Sequence, residues 1–514
     1  MPKRRRQEEQ AEEQTEEQAE EASGAEAAAG AEAEPADDSA AEQQWHVDYR
    51  QPLARWASTA LPPCPDASRS CAENDNFVKG VKWSPDGNLL LTNSEDHKLR
   101  VWALDAAAVQ DAWTPAAAAA DDGSVLRLGR HCAEAECIYD FCWYPGARAA
   151  DPASCCALSC SRDTPLHLWD ACPSDATAED SERGRVRATY LPYDHNDEVA
   201  AAMSCCFSPD GQQIYCGFEH AVHVFHTARP GRDSTMRKTT PTRSSRKGQK
   251  GLISTLAVTP DGSVYAAGSY SASVGLYSCA EGTEMALLPA GSGVSQVSFA
   301  PDGLLLMVGE RKSSALTGWY ETPSIVLRRM TQAHRLRACS RACVLACLCD
   351  MIGPRQSTVY DIQRLCCCSV LRCAVVWCRD IRHTAAPLFT CRRQHSTNQR
   401  LQFDIDPCSC YVATGDETGV VRIYDIREEG SEPTAAPPHV ADMPVGGQGP
   451  GAVCNSVCFH PFLPVLATGS GSRRFRDAEE KAAAGVSDDL SNAVQLHKLA
   501  WVRGAEPEPG AASN

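Results

Sequence analysis

The chain has 514 residues, 43% of them hydrophobic, with 49 Lys and Arg against 66 Asp and Glu and a formal net charge of −17. That balance taken alone argues against general nucleic-acid affinity, but about −10 of it sits in residues 1–44 and only about −7 in the rest, and no uninterrupted apolar run reaches the ~18–20 residues that a bilayer span needs. The 27 cysteines would suggest a disulfide scaffold in a small secreted chain, but no secretory signal pattern is read here, so reduced thiols in a soluble intracellular protein are expected.

Residues 1–44 hold 14 acidic and 4 basic residues and no aromatic residue. Such a segment buries too little apolar surface to offset its ordering entropy, so a disordered acidic tail is expected. Lys3-Arg4-Arg5-Arg6 fits a nuclear import signal or a plain basic cluster at a chain end. Pro52-Leu-Ala-Arg-Trp56 then reads as a strand.

Phe77–Trp102 contains three short runs rich in β-branched and aromatic residues, separated by Ser84–Gly87 and Ser94–Lys98. Pro presets φ and Gly tolerates φ > 0, so Ser84-Pro85-Asp86-Gly87 is a turn and the unit is an antiparallel meander. The turn recurs at Ser208–Gly211, Thr259–Gly262 and Ala300–Gly303, with weaker copies at Tyr144-Pro145, Asp406-Pro407 and His460-Pro461. Val101-Trp102, Leu168-Trp169, Val224-Phe225, Leu276-Tyr277 and Ile423-Tyr424 follow these turns, two of them completed by Asp170 and Asp425. Repeats of this kind mark WD40 blades, and the copies predict an all-β, seven-bladed WD40 β-propeller over residues 45–502. The 52–56 strand is expected to complete the last blade around Val457–Trp501 and so remove its edge, with Val494–Trp501 supplying a further strand.

Residues 229–250 carry Arg229, Arg232, Arg237, Lys238, Arg243, Arg246, Lys247 and Lys250 against one acid, Asp233. The run falls between blade patterns, so an exposed inter-blade loop is expected, able to follow a phosphate backbone or simply to remain solvated. Rim aromatics such as Tyr193 and Tyr270 are candidates for stacking on unpaired bases. Asp96 and Asp163 read as structural turn carboxylates that bond backbone. His195 with Asp197 and Glu198 reads as loop packing or partner contact, because no second ligand set accompanies it. Neither a metal site nor a cofactor motif is expected, and the cysteine group Cys339, Cys343, Cys347 and Cys349 lacks the paired spacing of a zinc site. Cys142, Cys205, Cys206 and Cys458 sit in strand patterns as small apolar residues.

Between Pro301 and Pro407 the spacing is 106 residues, far longer than the other intervals. This fifth blade is too long by roughly 60 residues, an excess rich in Cys and Arg over 316–374. It reads as a gene-model artefact or as a genuine functional insertion. Ser472–Ser491 is acidic and Ala-rich, and 503–514 is a polar tail expected to be disordered.

Several strings, among them Asn76-Phe77-Val78-Lys79-Gly80, Tyr139–Tyr144, Thr227-Ala228-Arg229-Pro230-Gly231-Arg232-Asp233, Thr397-Asn398-Gln399-Arg400 and Leu466–Gly471, resemble the telomerase Cajal body protein family in the same order. The resemblance covers roughly residues 45–314 and 375–500 and implies that the next strand of the fifth blade lies at Val375-Val376-Trp377, which makes 316–374 an insertion. It implies a non-enzymatic, monomeric RNA-binding scaffold of the nucleus and Cajal body, with some cytoplasmic protein. Such a scaffold binds the CAB box of H/ACA small Cajal-body RNAs and telomerase RNA, and supports telomerase assembly and telomere maintenance. Implied partners are the dyskerin-containing H/ACA core, telomerase and the cytosolic chaperonin, with no membrane. The alternative is a WD40 protein–protein adaptor without an RNA role. The candidate RNA contacts are Arg229, Arg232, Arg237, Lys238, Tyr193 and Tyr270.

Overall fold

The computed structural model describes residues 45–49, 54–61, 76–105, 125–173, 184–193, 198–242, 245, 247–311, 315–320, 389–393, 399–427, 437–445, 453–472 and 492–503. The regular elements among them are all strands. β1 (Trp45–Asp48) and β2 (Ala54–Ala60) precede the first meander, β3 to β6 (Val78–Trp83, Leu89–Ser94, Lys98–Leu104, Leu126–Ala133). β7 to β10 follow (Ile138–Trp143, Cys156–Ser161, Leu166–Asp170, Val186–Tyr190), then β11 to β14 (Ser204–Phe207, Gln213–Phe218, Ala221–His226, Ser234–Lys238). Next come β15 to β18 (Ile253–Val258, Val264–Ser269, Ser273–Ser278, Glu284–Pro289) and β19 to β22 (Val294–Phe299, Leu305–Glu310, Ala315–Tyr320, Phe389–Arg392). β23 to β26 (Phe403–Ile405, Tyr411–Gly415, Val420–Asp425, His439–Pro444) and β27 to β30 (Cys454–Phe459, Val465–Ser470, Ala493–Lys498, Ala500–Arg503) complete the series. Among the described residues these strands form seven four-stranded antiparallel sheets and one two-stranded sheet, β1 with β30. The architecture is a WD40 β-propeller.

The repeated turn forms because its side chains satisfy its own backbone. Ser84 Oγ donates to Asp86 Oδ1 at 2.6 Å and accepts from the Leu89 amide at 3.0 Å. Ser208 with Asp210 and Thr259 with Asp261 repeat the pattern. Gly87, Gly211, Gly262 and Gly303 close these turns at φ of +70° to +74°, a conformation that costs other residues Cβ strain. The third strands carry the large core residues. Trp102 and Trp169 are buried, and each indole donates to a hydroxyl one strand inward, Thr92 at 3.0 Å and Ser159 at 2.8 Å.

Side chains knit the inner strands into a closed ring. Trp143 Nε1 donates to the Lys82 carbonyl, the Cys205 amide to Asp140, Ser204 Oγ to the Ile253 carbonyl and the Val297 amide to Thr255 Oγ1. Gln296 and Phe403 exchange two bonds, the Phe459 amide donates to Asp404, and the Val81 amide donates to Ser456 Oγ. The circle therefore runs from β3 through β7, β11, β15, β19, β23 and β27 back to β3.

As expected, β2 closes the ring as the outer strand of the β27–β29 sheet, pairing with β29 from Ala54↔Lys498 to Ala60↔Ala493. The fifth blade differs from expectation. Ala315–Tyr320, inside the stretch assigned to the insertion, pairs with β20 as its third strand, and Phe389–Arg392 is the fourth. Strand propensity at Ala-Leu-Thr-Gly-Trp-Tyr directly after the β20 turn suffices, because a hairpin closes a shorter loop than Val375 would. Val375–Arg382 and the acidic tail 1–44 lie outside the described residues, as do 321–388 and 504–514.

Val47–Trp501 forms one compact unit. The remaining unit comprises Met1–His46 and Val502–Asn514, of which 45–46 and 502–503 are described.

Candidate nucleic-acid interface

The basic stretch begins in the loop joining β13 to β14. The Arg229 amide donates to the His226 carbonyl at 2.9 Å, turning the chain. Gly231 follows at φ +108°, with open space where a Cβ would stand. Its amide donates to the Thr189 carbonyl at 2.9 Å and its carbonyl accepts from the Leu191 amide at 2.9 Å. The buried Tyr190 hydroxyl adds a 2.7 Å bond to the Thr227 carbonyl. These bonds fasten the loop to the end of β10, the outer strand of the preceding sheet.

Arg232 therefore meets Tyr193, three residues beyond Tyr190. Its guanidinium carbon lies 3.7 Å from the Tyr193 ring centroid, a cation–π stack worth roughly 0.5–1 kcal/mol when exposed. Arg229 and Arg232 are exposed and Tyr193 is half-buried. Tyr193 also bridges Val199 across the segment that contains His195 and Asp197, which themselves fall outside the described residues.

The 229–250 stretch is not one exposed loop, in contrast to the reading from composition. Ser234–Lys238 is β14, paired with β13 from Ser234↔Phe225 to Lys238↔Ala221. Arg237 is half-buried and braces two sheets: it donates to the Cys279 carbonyl at 2.8 Å and lies 5.7 and 5.6 Å from the Tyr215 and Tyr265 centroids. Burial pushes the Tyr265 hydroxyl up to about 12, against the nearby Arg237 charge. Lys238 is exposed at the far end of β14, and Arg243 and Arg246 lie outside the described residues. Tyr270 belongs to a different place, after β16, where the Arg311 guanidinium lies 5.4 Å from its ring. Arg311 was not marked by composition, since a single Arg on a β-turn carries no pattern.

The expected turn carboxylates divide. Asp96 is buried, but its bonds go to the Ser94 hydroxyl and the Arg100 guanidinium rather than to a turn amide further on. Asp163 is exposed at φ +54° beside Arg162. The backbone-bonding role falls to Asp416, which accepts from the Thr418 and Val420 amides.

Among the described residues no group of three His, Cys, Asp or Glu is placed to hold a metal. Burial pushes the Cys132 and Cys155 thiols up to about 12, which keeps them protonated and poorly nucleophilic near neutral pH. The Cys339–Cys349 group lies outside the described residues.

Residues 68–103 match the WD domain, G-beta repeat family. Over 454 residues the chain is 32% identical to telomerase Cajal body protein 1 of Homo sapiens, covering 88% of this chain and 66% of that protein. It is 30% identical to the protein of that name from Mus musculus, covering 93% of this chain and 76% of the relative. With the Bos taurus protein it shares 33% identity, over 80% of this chain and 61% of the relative. The chain thus spans just under two thirds of the human protein's length.

Proposed function

Because this chain belongs to the telomerase Cajal body protein 1 family, we propose that it is a non-enzymatic, RNA-binding WD40 scaffold that serves telomerase and Cajal-body RNA particles. In this reading each four-stranded sheet is a blade, seven in all. The ligand is the single-stranded CAB-box loop of H/ACA small Cajal-body RNAs and of telomerase RNA. Partners are the dyskerin-containing H/ACA core and telomerase, with the cytosolic chaperonin as folding helper, and the protein works as a monomer in the nucleus and Cajal body.

The observation that supports this most is the Arg232–Tyr193 stack, presented by a loop that Gly231 ties to β10. A guanidinium plane on a tyrosine is a platform for an unpaired base, and Arg229 beside it suits a phosphate. Lys238 and Tyr270 with Arg311 are outlying contacts, and Arg237 acts by bracing β14.

Crosslinking followed by sequencing of RNA bound to the tagged protein tests this. Recovery of H/ACA-type RNAs crosslinked in a terminal loop, reduced by Arg232→Ala with unchanged thermal unfolding, is expected. Recovery of no RNA above background from intact protein would instead establish a protein adaptor.

A further inference from the structure

We propose that the RNA-binding surface leaves the Arg232–Tyr193 stack along β10 of the neighbouring sheet, with Arg185 as a phosphate contact, and not along the chain toward Lys250. This rests on the RNA-binding reading above.

Three observations carry it. First, the chain-contiguous route is interrupted: Arg237 spends its guanidinium on the Ser278 and Cys279 carbonyls, and β14 carries Lys238 away from the loop by about 3.3 Å per residue. Second, the Gly231 bonds to Thr189 and Leu191 make β10 the loop's direct neighbour. Counting back from Tyr190 at the same rise places Arg187 about 10 Å and Arg185 about 17 Å away, a step of a few nucleotides. Arg185 is exposed, and among the described residues it has no carboxylate partner. Arg187 holds the Pro152 and Ala153 carbonyls and Asp170, so it positions the adjoining 151–153 turn.

Third, six large apolar residues are exposed in the described structure, and two of them lie on this path: Val186 on β10 at 44% and Val199 across from Tyr193 at 43%. Aliphatic surface beside the Tyr193–Arg232 stack and Arg185 offers van der Waals contact to bases between stacking and phosphate contacts, a pattern that a simple solvated face lacks. Among the described residues the acids near the seam are Asp151, Asp170, Glu198 and Asp233. Asp170 is neutralised by Arg130 and Arg187, and the Asp151 carboxylate accepts from the Ala153 amide.

The test uses the full chain and a fluorescent RNA hairpin with a mixed-sequence single-stranded terminal loop, titrated across salt concentrations. Arg185→Glu and Lys250→Glu change the charge equally, and both positions are exposed, so unfolding temperature controls for folding. Arg185→Glu is expected to weaken binding roughly tenfold and to lower the salt slope by about one, with a smaller loss for Lys250→Glu. Wild-type affinity in Arg185→Glu, while Arg232→Ala weakens binding, would overturn the β10 path and leave the RNA-binding reading standing. A larger loss for Lys250→Glu than for Arg185→Glu would also overturn it. Absence of salt-dependent binding by the wild-type chain would overturn both.

Discussion

At the residue scale, Arg400 shows how one side chain spans the ring. Its guanidinium donates to the carbonyls of Ser295 at 2.8 Å, Tyr139 at 2.9 Å and Ser254, which belong to three different sheets. A planar fork of five donors suits three convergent acceptors, and a lysine cannot replace it. Arg400→Met is expected to lower unfolding free energy by about 2–4 kcal/mol through unsatisfied carbonyls, measured by urea unfolding; an unchanged midpoint would show that water replaces the fork at no cost. His460 is the second such residue. Its Nδ1 accepts from the Phe462 and Leu463 amides, and Nε2 donates to the Gly87 carbonyl. Burial pushes the ring down to about 4, against the pull of the Gly87 carbonyl and Asp86. A histidine depressed in the folded state stabilises above its unfolded value near 6.5 and loses that contribution as pH falls toward 4. His460→Asn should therefore be less stable than wild type at about pH 7.5, with the gap narrowing by about 2–3 kcal/mol at about pH 4.5. Asp404 and Asp406, each raised to about 6 by burial, act with the opposite sign, but both proteins share them. A pH-independent gap between the two unfolding curves would refute the assignment.

At the element scale, ring closure rests on β2. Its Trp56 is 4% exposed and packs with Trp83, Trp102, Val494 and Leu496, so residues far apart in the chain share one core. Trp56→Ala is expected to cost about 3–5 kcal/mol and to lower the thermal midpoint of the whole propeller in a single transition. A separate early transition confined to the last sheet would show that closure is not cooperative with the rest. The β14 strand works differently: its register places Arg237 between Tyr215 and Tyr265, so an arginine that composition groups with RNA contacts is used for sheet-to-sheet packing.

At the scale of the whole molecule, the fifth blade pairs β21 with β22 across residues 321–388. Closing a loop of ~70 residues rather than one of ~5 costs about 2 kcal/mol of chain entropy. Replacing 321–388 by a short Gly-containing turn should therefore raise the unfolding free energy by about that amount, read from denaturant unfolding. A destabilised product would mean that the long segment makes contacts the propeller needs.

The propeller was legible from the chain itself. Its Pro-Asp-Gly turns and its apolar-aromatic strand ends are local signals, set by φ preferences and by alternation along a strand, and they recur. The closing strand followed from the same logic, because an unpaired sheet edge demands a partner. The interface was legible only in part: Arg232 and Tyr193 were each visible as residue types, but nothing local says that they touch. Their stack depends on bonds between Gly231 and Thr189 and Leu191, residues about forty positions apart, and the diversion of Arg237 into packing depends on the β13–β14 register. Turn and strand chemistry acts over a few residues, and so the sequence alone determined the repeated sheets. Which side chains face one another across two sheets depends on how the ring closes, and that only the tertiary structure decided.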